Sequence, residues 1–186
     1  MTNLSQSIII RDAIVSDISR CLELDHSYET DYVWQMSLRS QGTGGWECTF
    51  KTERLPRRVT NQYDINRQRL RQALNQPHGF LIAETRDGEE LLAYLTIFTD
   101  PVHEIARIHD LLVSRPYRRH KIASRLLTVS QHWAREKNLD KIILEIQTKN
   151  YPAIEFSQAH GFQFCGFHDQ YLPDNDIAVF FAKTLR

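Results

Sequence analysis

The stretch VSRPYRRHKIASRLL, Val113 to Leu127, sets Arg118, Arg119 and Lys121 around His120. An apolar-rich run, Ile105 to Val113, leads into it, and Ile122, Leu126, Val129, Trp133 and Ala134 leave it at helical spacing. A strand that passes directly into a helix aims the helix's first amide N–H groups into one small volume. The helix dipole makes that volume favourable for anions. Turns that hold phosphate in this way commonly carry glycine, which accepts positive φ and lets the ligand approach the backbone. This turn has none. A turn held at negative φ presents its amides with any side chain directed outward, and Arg119 or Lys121 in the left-handed region costs about 1 kcal/mol. The cations add attraction for a phosphate. The competing reading is a basic helix start that simply faces water.

Composition bounds the molecule that carries this turn. The chain has 186 residues, 41% of them apolar and 25% charged, which fits one globular domain over 1–186. Lys+Arg and Asp+Glu are both 23, and a net charge of zero argues against a general nucleic-acid binder. The opening MTNLSQSIII has no charged leader region, and no run approaches the roughly 18 apolar residues of a membrane span. Cys21, Cys48 and Cys165 are odd in number and widely spaced, forming neither a metal signature nor a disulfide framework. The expectation is a soluble cytoplasmic protein with reduced thiols, no metal, no membrane and no nucleic-acid partner.

The elements that must position the turn follow from periodicity. Ser7–Arg11 reads as a first strand, and Ser16 or Asp17 as the cap of a helix with Ile18, Cys21, Leu22 and Leu24 on one side. Ser27–Leu38, aromatic-rich and acidic, reads as helical in its second half. Ser40–Gly45 is a glycine-bearing loop, and a strand begins at Trp46. Asp64–Asn75 is a short helix. Two strands flank Asp87-Gly88, the strongest hairpin signal in the chain. Lys141–Gln147 is a buried-type strand, Pro152–His160 a helix closed by Gly161, and Phe162–Phe167 and Ile177–Thr184 are the last strands. The resulting fold class is α/β (α+β): a mixed, mostly antiparallel central sheet with helices on both faces, locally parallel where a helix crosses between Val113 and Lys141.

The turn then acquires a second block at a fixed distance. Arg118-x-x-Lys121-x-Ala123, after Val113 and before Leu126-Leu127, resembles the Arg/Gln-x-x-Gly-x-Gly/Ala signature of the GNAT superfamily of acyl-CoA-dependent N-acetyltransferases, with lysine at the middle glycine. LEIQTKNYPAIEFSQAHGF, Leu144 to Phe162, looks like that family's strand, Asn-x-x-Ala and Gly-Phe segment. Resemblance is strong over Ile105–Phe167 and weak over Ser27–His78, and IHDLLV, LEIQTKN and DIAVFFAKTL are similar to the streptothricin acetyltransferase branch. It implies that acetyl-CoA is held by Leu111, Leu112, Val113, Arg118, Arg119, His120, Lys121, Ile122, Ala123 and Ser124, with Asn150, Ala153 and Phe156 from the second block. It implies transfer of the acetyl group to a primary amine of a small molecule by direct attack, without an acyl-enzyme. It also leaves homodimerisation open, being common in the family.

Such a reaction needs a positioned neutral amine, an oxyanion donor and a proton for the leaving thiolate. The resemblance puts the donor among the Leu111–Val113 amides. For a base the preceding strand offers His109 and Asp110, and alternation lets only one face the cleft unless a bulge intervenes. His109 has the better intrinsic pKa, and a packed, hydrogen-bonded histidine is the alternative. Asp110 reads as an orienting group, and Glu145 as structural first and a relay second. Ser157 stands where the family usually has its tyrosine acid, and a hydroxyl is a far poorer proton donor than a phenol. Tyr151, at the helix start, is the nearby phenol. Asp25, Glu29, Asp31, Tyr32 and Trp34 are acceptor-site candidates, carboxylates beside aromatics suiting a cationic amine. Cys165 reads as a small core residue. The second function class is an acyl-CoA-binding sensor or interaction module with little turnover, for which Arg119, Lys121 and Ser157 speak.

Overall fold

The computed structural model describes residues 8–172 and 176–185. The elements run β1 (Ile8–Asp12), α1 (Asp17–Glu23), β2 (Ser27–Gln41), β3 (Gly45–Gln62), α2 (Arg67–Ala73), β4 (Gly79–Thr85), β5 (Leu91–Asp100), β6 (Ile105–Val113), a 3-10 turn (Arg115–Tyr117), α3 (Ile122–Glu136), β7 (Lys141–Gln147), α4 (Tyr151–Ala159), β8 (Gln163–His168) and β9 (Ala178–Thr184). Ser7, read above as part of the first strand, lies outside the described residues, as does the leading MTNLSQ. Strand neighbours follow the order β1-β4-β5-β6-β7-β9-β8, and β2 pairs with β3 in a separate two-stranded sheet. The β1–β4, β4–β5 and β5–β6 pairs are antiparallel and β6–β7 is parallel, the mixed sheet expected from the helical crossover.

The chain divides into two compact units, Met1–His26 with Asp64–Glu145 and Ala182–Arg186, and Ser27–Tyr63 with Ile146–Phe181. In the first, Asp87-Gly88 turns β4 into β5 with Gly88 at φ 75°. Gly79–Glu84 and Leu91–Ile97 are buried throughout, as strands covered on both faces must be. One face packs Phe80, Ile82, Tyr94 and Leu112 against Ile18 and Cys21 of α1 and Leu70 and Ala73 of α2. The other lies under α3: a Cβ built on Gly79 would stand 2.9 Å from the Trp133 ring. Ser16 occupies the start of α1 without a side-chain cap bond. Asp17 instead accepts from the Ile14 N–H at 2.9 Å.

In the second unit the structure corrects the reading of Ser27–Leu38. This segment is strand β2, paired antiparallel with β3 from Ser27↔Gln62 to Gln41↔Gly45. Its decisive pattern has period two. Trp34, Met36 and Leu38 stand opposite Thr52, Phe50 and Cys48, whereas the intervening pairs, Val33/Glu53, Gln35/Lys51 and Ser37/Thr49, carry the polar groups. Trp34 meets Phe50, Phe164 and Phe181 at ring separations of 5.7, 5.9 and 5.6 Å. Phe167 joins through Phe50 at 5.4 Å. Cys165 is exposed rather than core, because the pleat of β8 turns it away from this cluster.

Candidate functional site

The cationic turn has the backbone that its missing glycines would have supplied. After β6, Ser114 donates to Leu92 O at 2.8 Å and the 3-10 turn follows. Arg118 is extended, Arg119 sits at φ 67° and Lys121 at φ 61°, both in the left-handed region. α3 then begins at Ile122, and the Arg125 N–H, bonded to Lys121 O at 3.1 Å, opens its ladder. The amides of Ile122 and Ala123 precede that ladder. Left-handed residues stand on either side of His120, and turns that mix left- and right-handed residues are those in which successive N–H groups form an anion nest. Each non-glycine residue held there costs about 1 kcal/mol or somewhat more.

The side chains of the turn divide by role. Arg118 folds back, donating to Val113 O from Nε at 3.0 Å and to Asp25 O from Nη2 at 3.5 Å. It braces the strand end. His120 donates from Nδ1 to Arg118 O at 2.9 Å. Arg119 and Lys121 are exposed, so the solvent-facing cations of the turn include these two. Ile122 is buried and leaves only its backbone to the turn, while Ala123 and Ser124 are half-buried on the first helical turn.

β6 supplies main-chain groups just before the turn. Its antiparallel register with β5 continues to Ala93↔Val113, whereas its parallel register with β7 runs from Ile105↔Lys141 to Ile108↔Leu144. Alternation from the Ser114 bond turns the Leu112 main chain toward β5 and those of Leu111 and Val113 away from it. Val113 O is taken by Arg118, and the Leu111 and Val113 amides face the side where the β7 ladder ends. The Leu112 side chain belongs to the core.

A bulge settles which of His109 and Asp110 faces which way. The β5–β6 register passes from Ile97↔Ile108 to Thr96↔Asp110, so His109 is the extra residue. Both side chains therefore lie on the α1–α2 side: the His109 ring meets Phe98, itself packed on that core, at 5.0 Å and 80°. Asp110 is fully buried, accepting from Arg69 Nη2 at 2.8 Å, Arg69 Nε at 3.2 Å and Thr96 Oγ1 at 2.5 Å. That engagement ties β6 to α2 through Asp110 and Arg69. Burial pushes the His109 imidazole down to about 4, against the pull of the Asp110 charge and aided by Arg69 and Arg107. Its Nδ1 lies 3.4 Å from Glu145 Oε2.

The second-block residues lie in the other unit. Asn150 caps α4, its side chain accepting from the Ala153 N–H at 3.3 Å, so Asn150 and Ala153 serve the helix itself. Phe156 stacks on His160 at 4.1 Å. Ser157 is fully buried and donates to Ile154 O at 2.7 Å, which engages its only hydroxyl proton. The neighbouring phenol, Tyr151, lies 5.4 Å from the Tyr32 ring, and burial, joined by the nearby Glu155 carboxylate, raises its pKa above the ordinary value. Of the acceptor candidates, Glu29 and Asp31 both face Arg58, at 3.8 and 2.8 Å, and Trp34 belongs to the aromatic cluster. Burial pushes the Cys21 thiol up to about 12, which makes it inert. Among the described residues no group of three or more His, Cys, Asp or Glu side chains could hold a metal ion.

Sequence reasoning missed two features here. The bulge at His109 has no glycine to mark it, and the pairing of Arg69 with Asp110 joins residues 41 apart. Comparison with known proteins agrees with the signature. The model of the acetyltransferase (GNAT) family matches residues 46–162. No curated protein sequence matches the chain. Among solved structures, nourseothricin acetyltransferase is similar at 20% identity and TM-score 0.81, over 97% of this chain and 99% of that one. A candidate streptothricin acetyltransferase from Bacillus anthracis str. Ames, in complex with acetyl coenzyme A, is similar at 23% identity and TM-score 0.75, over 96% and 99%. Ard1 from Thermoplasma volcanium follows at 18% identity and TM-score 0.66, over 96% and 97%. At these identities the likeness is one of fold.

Proposed function

The chain belongs to the acetyltransferase (GNAT) family, and from that premise we propose that it transfers an acetyl group from acetyl-CoA to a primary amine of a small molecule. The observation that carries the reading is the nest at Arg119–Ala123, built with two left-handed non-glycine residues at the start of a long helix. Strain of that kind clusters at ligand sites, although Glu104 and Asn138 carry positive φ elsewhere in the fold. The nest amides, with Arg119 and Lys121 beside them, suit the diphosphate of the coenzyme. The Leu111 and Val113 amides suit the oxyanion, and His109 is the base this reading assigns, neutral at working pH and made a weak base by its burial.

Calorimetry with acetyl-CoA tests the nest, and absence of heat at millimolar ligand sinks it. The names of the similar structures make nourseothricin the first acceptor to assay by thiol release, followed by a panel of polyamines and amino acids. A cytoplasmic location belongs to this reading, since acyl-CoA donors are intracellular. No helix among the described residues is long and apolar enough to cross a membrane. The commitment of Ser157 favours a second reading, a coenzyme-binding module with little turnover. That reading predicts heat with acetyl-CoA and no thiol release above background with any amine.

A further inference from the structure

Glu145 is a half-buried acidic group that the proposed reaction leaves without a task. It follows Leu144 on β7, and Leu144 is the partner of Ile108 in the parallel ladder. The next residue on β6 is the bulged His109, so the end of the ladder brings the two side chains together on the α1–α2 side of the sheet. We propose that Glu145 is a positioning residue for His109: its carboxylate accepts the imidazole Nδ1–H, fixes that tautomer, and leaves the Nε2 lone pair for a proton of the incoming amine. This rests on the reading of the chain as an amine acetyltransferase.

Three features of the setting support it. Both side chains are largely withdrawn from water, with relative exposures of 21% for His109 and 11% for Glu145, and Oε2 stands 3.4 Å from Nδ1, a close approach that a small side-chain shift turns into a hydrogen bond. Withdrawn from water, an N–H held by a carboxylate is stronger than one held by a neutral acceptor, and it dictates the ring tautomer. The ring meets Phe98 edge-on, and Phe98 is backed by His78 at 4.8 Å. Among the described residues, the charged groups near the imidazole include Arg107 and Asp110 on β6, Glu145 on β7 and Arg69 on α2, with His78 beyond Phe98. Asp110 is committed to Arg69. Glu145 brings its carboxylate to the ring nitrogen Nδ1, and burial keeps the imidazole neutral. The proton balance is simple. The neutral amine attacks the acetyl carbonyl and the N–C bond forms; Nε2 takes one N–H proton of the adduct, and the C–S bond breaks with its electron pair leaving on the sulfur. The transient imidazolium, stabilised by Glu145, returns its proton to solvent or to the departing thiolate.

The test joins a spectroscopic readout that needs no substrate with kinetics that do. In the full chain labelled with ¹⁵N-histidine, His109 is expected as the Nδ1–H tautomer and to move toward Nε2–H in Glu145→Leu, which keeps volume but removes the acceptor. With acetyl-CoA and nourseothricin, Glu145→Leu is expected to lower kcat roughly tenfold to hundredfold, a part of the 10²–10⁴ range of a general base. The KM for acetyl-CoA stays within about twofold, since the nest is untouched. Glu145→Gln, which keeps an acceptor without the charge, recovers part of the loss, and its acid limb moves to lower pH. A purely structural role would scale kcat equally at every pH. An Nε2–H wild type overturns the inference whether or not the chain transfers acetyl groups. A wild type in the Nδ1–H form that acetylates no amine overturns the functional reading and the catalytic half of the inference with it, leaving the geometric half standing.

Discussion

Lys121 and Arg119 carry positive φ values that glycine would accept without strain. Replacing either by glycine isolates what its side chain contributes. Lys121→Gly is expected to raise unfolding stability by up to about 1 kcal/mol, the relief of a left-handed L-residue less the added freedom of the unfolded chain. Acetyl-CoA affinity is expected to fall only by the share of one exposed cation, because the amides remain. Thermal unfolding and calorimetry on the same variant read both numbers, and loss of all binding would assign the site to the side chain. Arg69 and Asp110 make the opposite kind of pair. Asp110 is fully buried, so Arg69→Leu leaves its carboxylate uncompensated and is expected to destabilise by about 3–5 kcal/mol. Adding Asp110→Asn should return most of that loss, a coupling that a double-mutant cycle measures directly.

Elements assemble here through close approaches and buried ion pairs. Gly79 opens β4 under the Trp133 ring of α3, and Gly79→Ala is expected to lower stability by roughly 1–3 kcal/mol, since a methyl group needs space the indole fills. At the other side of the sheet Arg11 ties β1 to both Asp17 and Glu84 at 2.7 Å, and Arg20 reaches Glu84 at 2.9 Å. Burial alone would raise both carboxyls. Hydrogen bonds from Arg11 and Arg20, with the Ile14 N–H on Asp17, outweigh it and hold both below their ordinary values. The stabilisation is therefore complete above the ordinary carboxylate range, about pH 4, and is lost as pH falls through the lowered values. Chemical denaturation as a function of pH should show that loss in the wild type and a flatter acid limb in Glu84→Gln. Much at this scale was legible in sequence. Asp87-Gly88 gave the β4–β5 hairpin, the Ile122–Ala134 spacing gave α3, and the run at Lys141–Gln147 gave β7. The segment Ser27–Leu38 was misread because its aromatic content outweighed the alternation of Trp34, Met36 and Leu38, the signal that identifies β2. Ser157 and the His109 bulge were illegible for another reason: hydrogen bonding to Ile154 O and a one-residue register shift depend on neighbours that no local pattern specifies.

At the scale of the whole molecule, the balanced charge of 23 basic and 23 acidic residues makes a local concentration of donors, rather than overall charge, the source of anion affinity. Ligand linkage then gives a measurable consequence. Acetyl-CoA at a hundred times its dissociation constant should stabilise the native chain by about 2.7 kcal/mol, which corresponds to roughly 5–10 °C in Tm for a chain of this size. The distribution of that stabilisation says where the ligand is held. Amide hydrogen exchange in the presence of acetyl-CoA is expected to slow at Arg119–Ser124 in the first unit, because those N–H groups become donors to the ligand. Exchange at Asn150–Phe156 in the second unit reads that segment's share separately, since Asn150 already satisfies the Ala153 amide without ligand. A Tm that rises with acetyl-CoA while Arg119–Ser124 exchange as fast as before would place the coenzyme elsewhere, and the strained backbone of Arg119 and Lys121 would then need another cause.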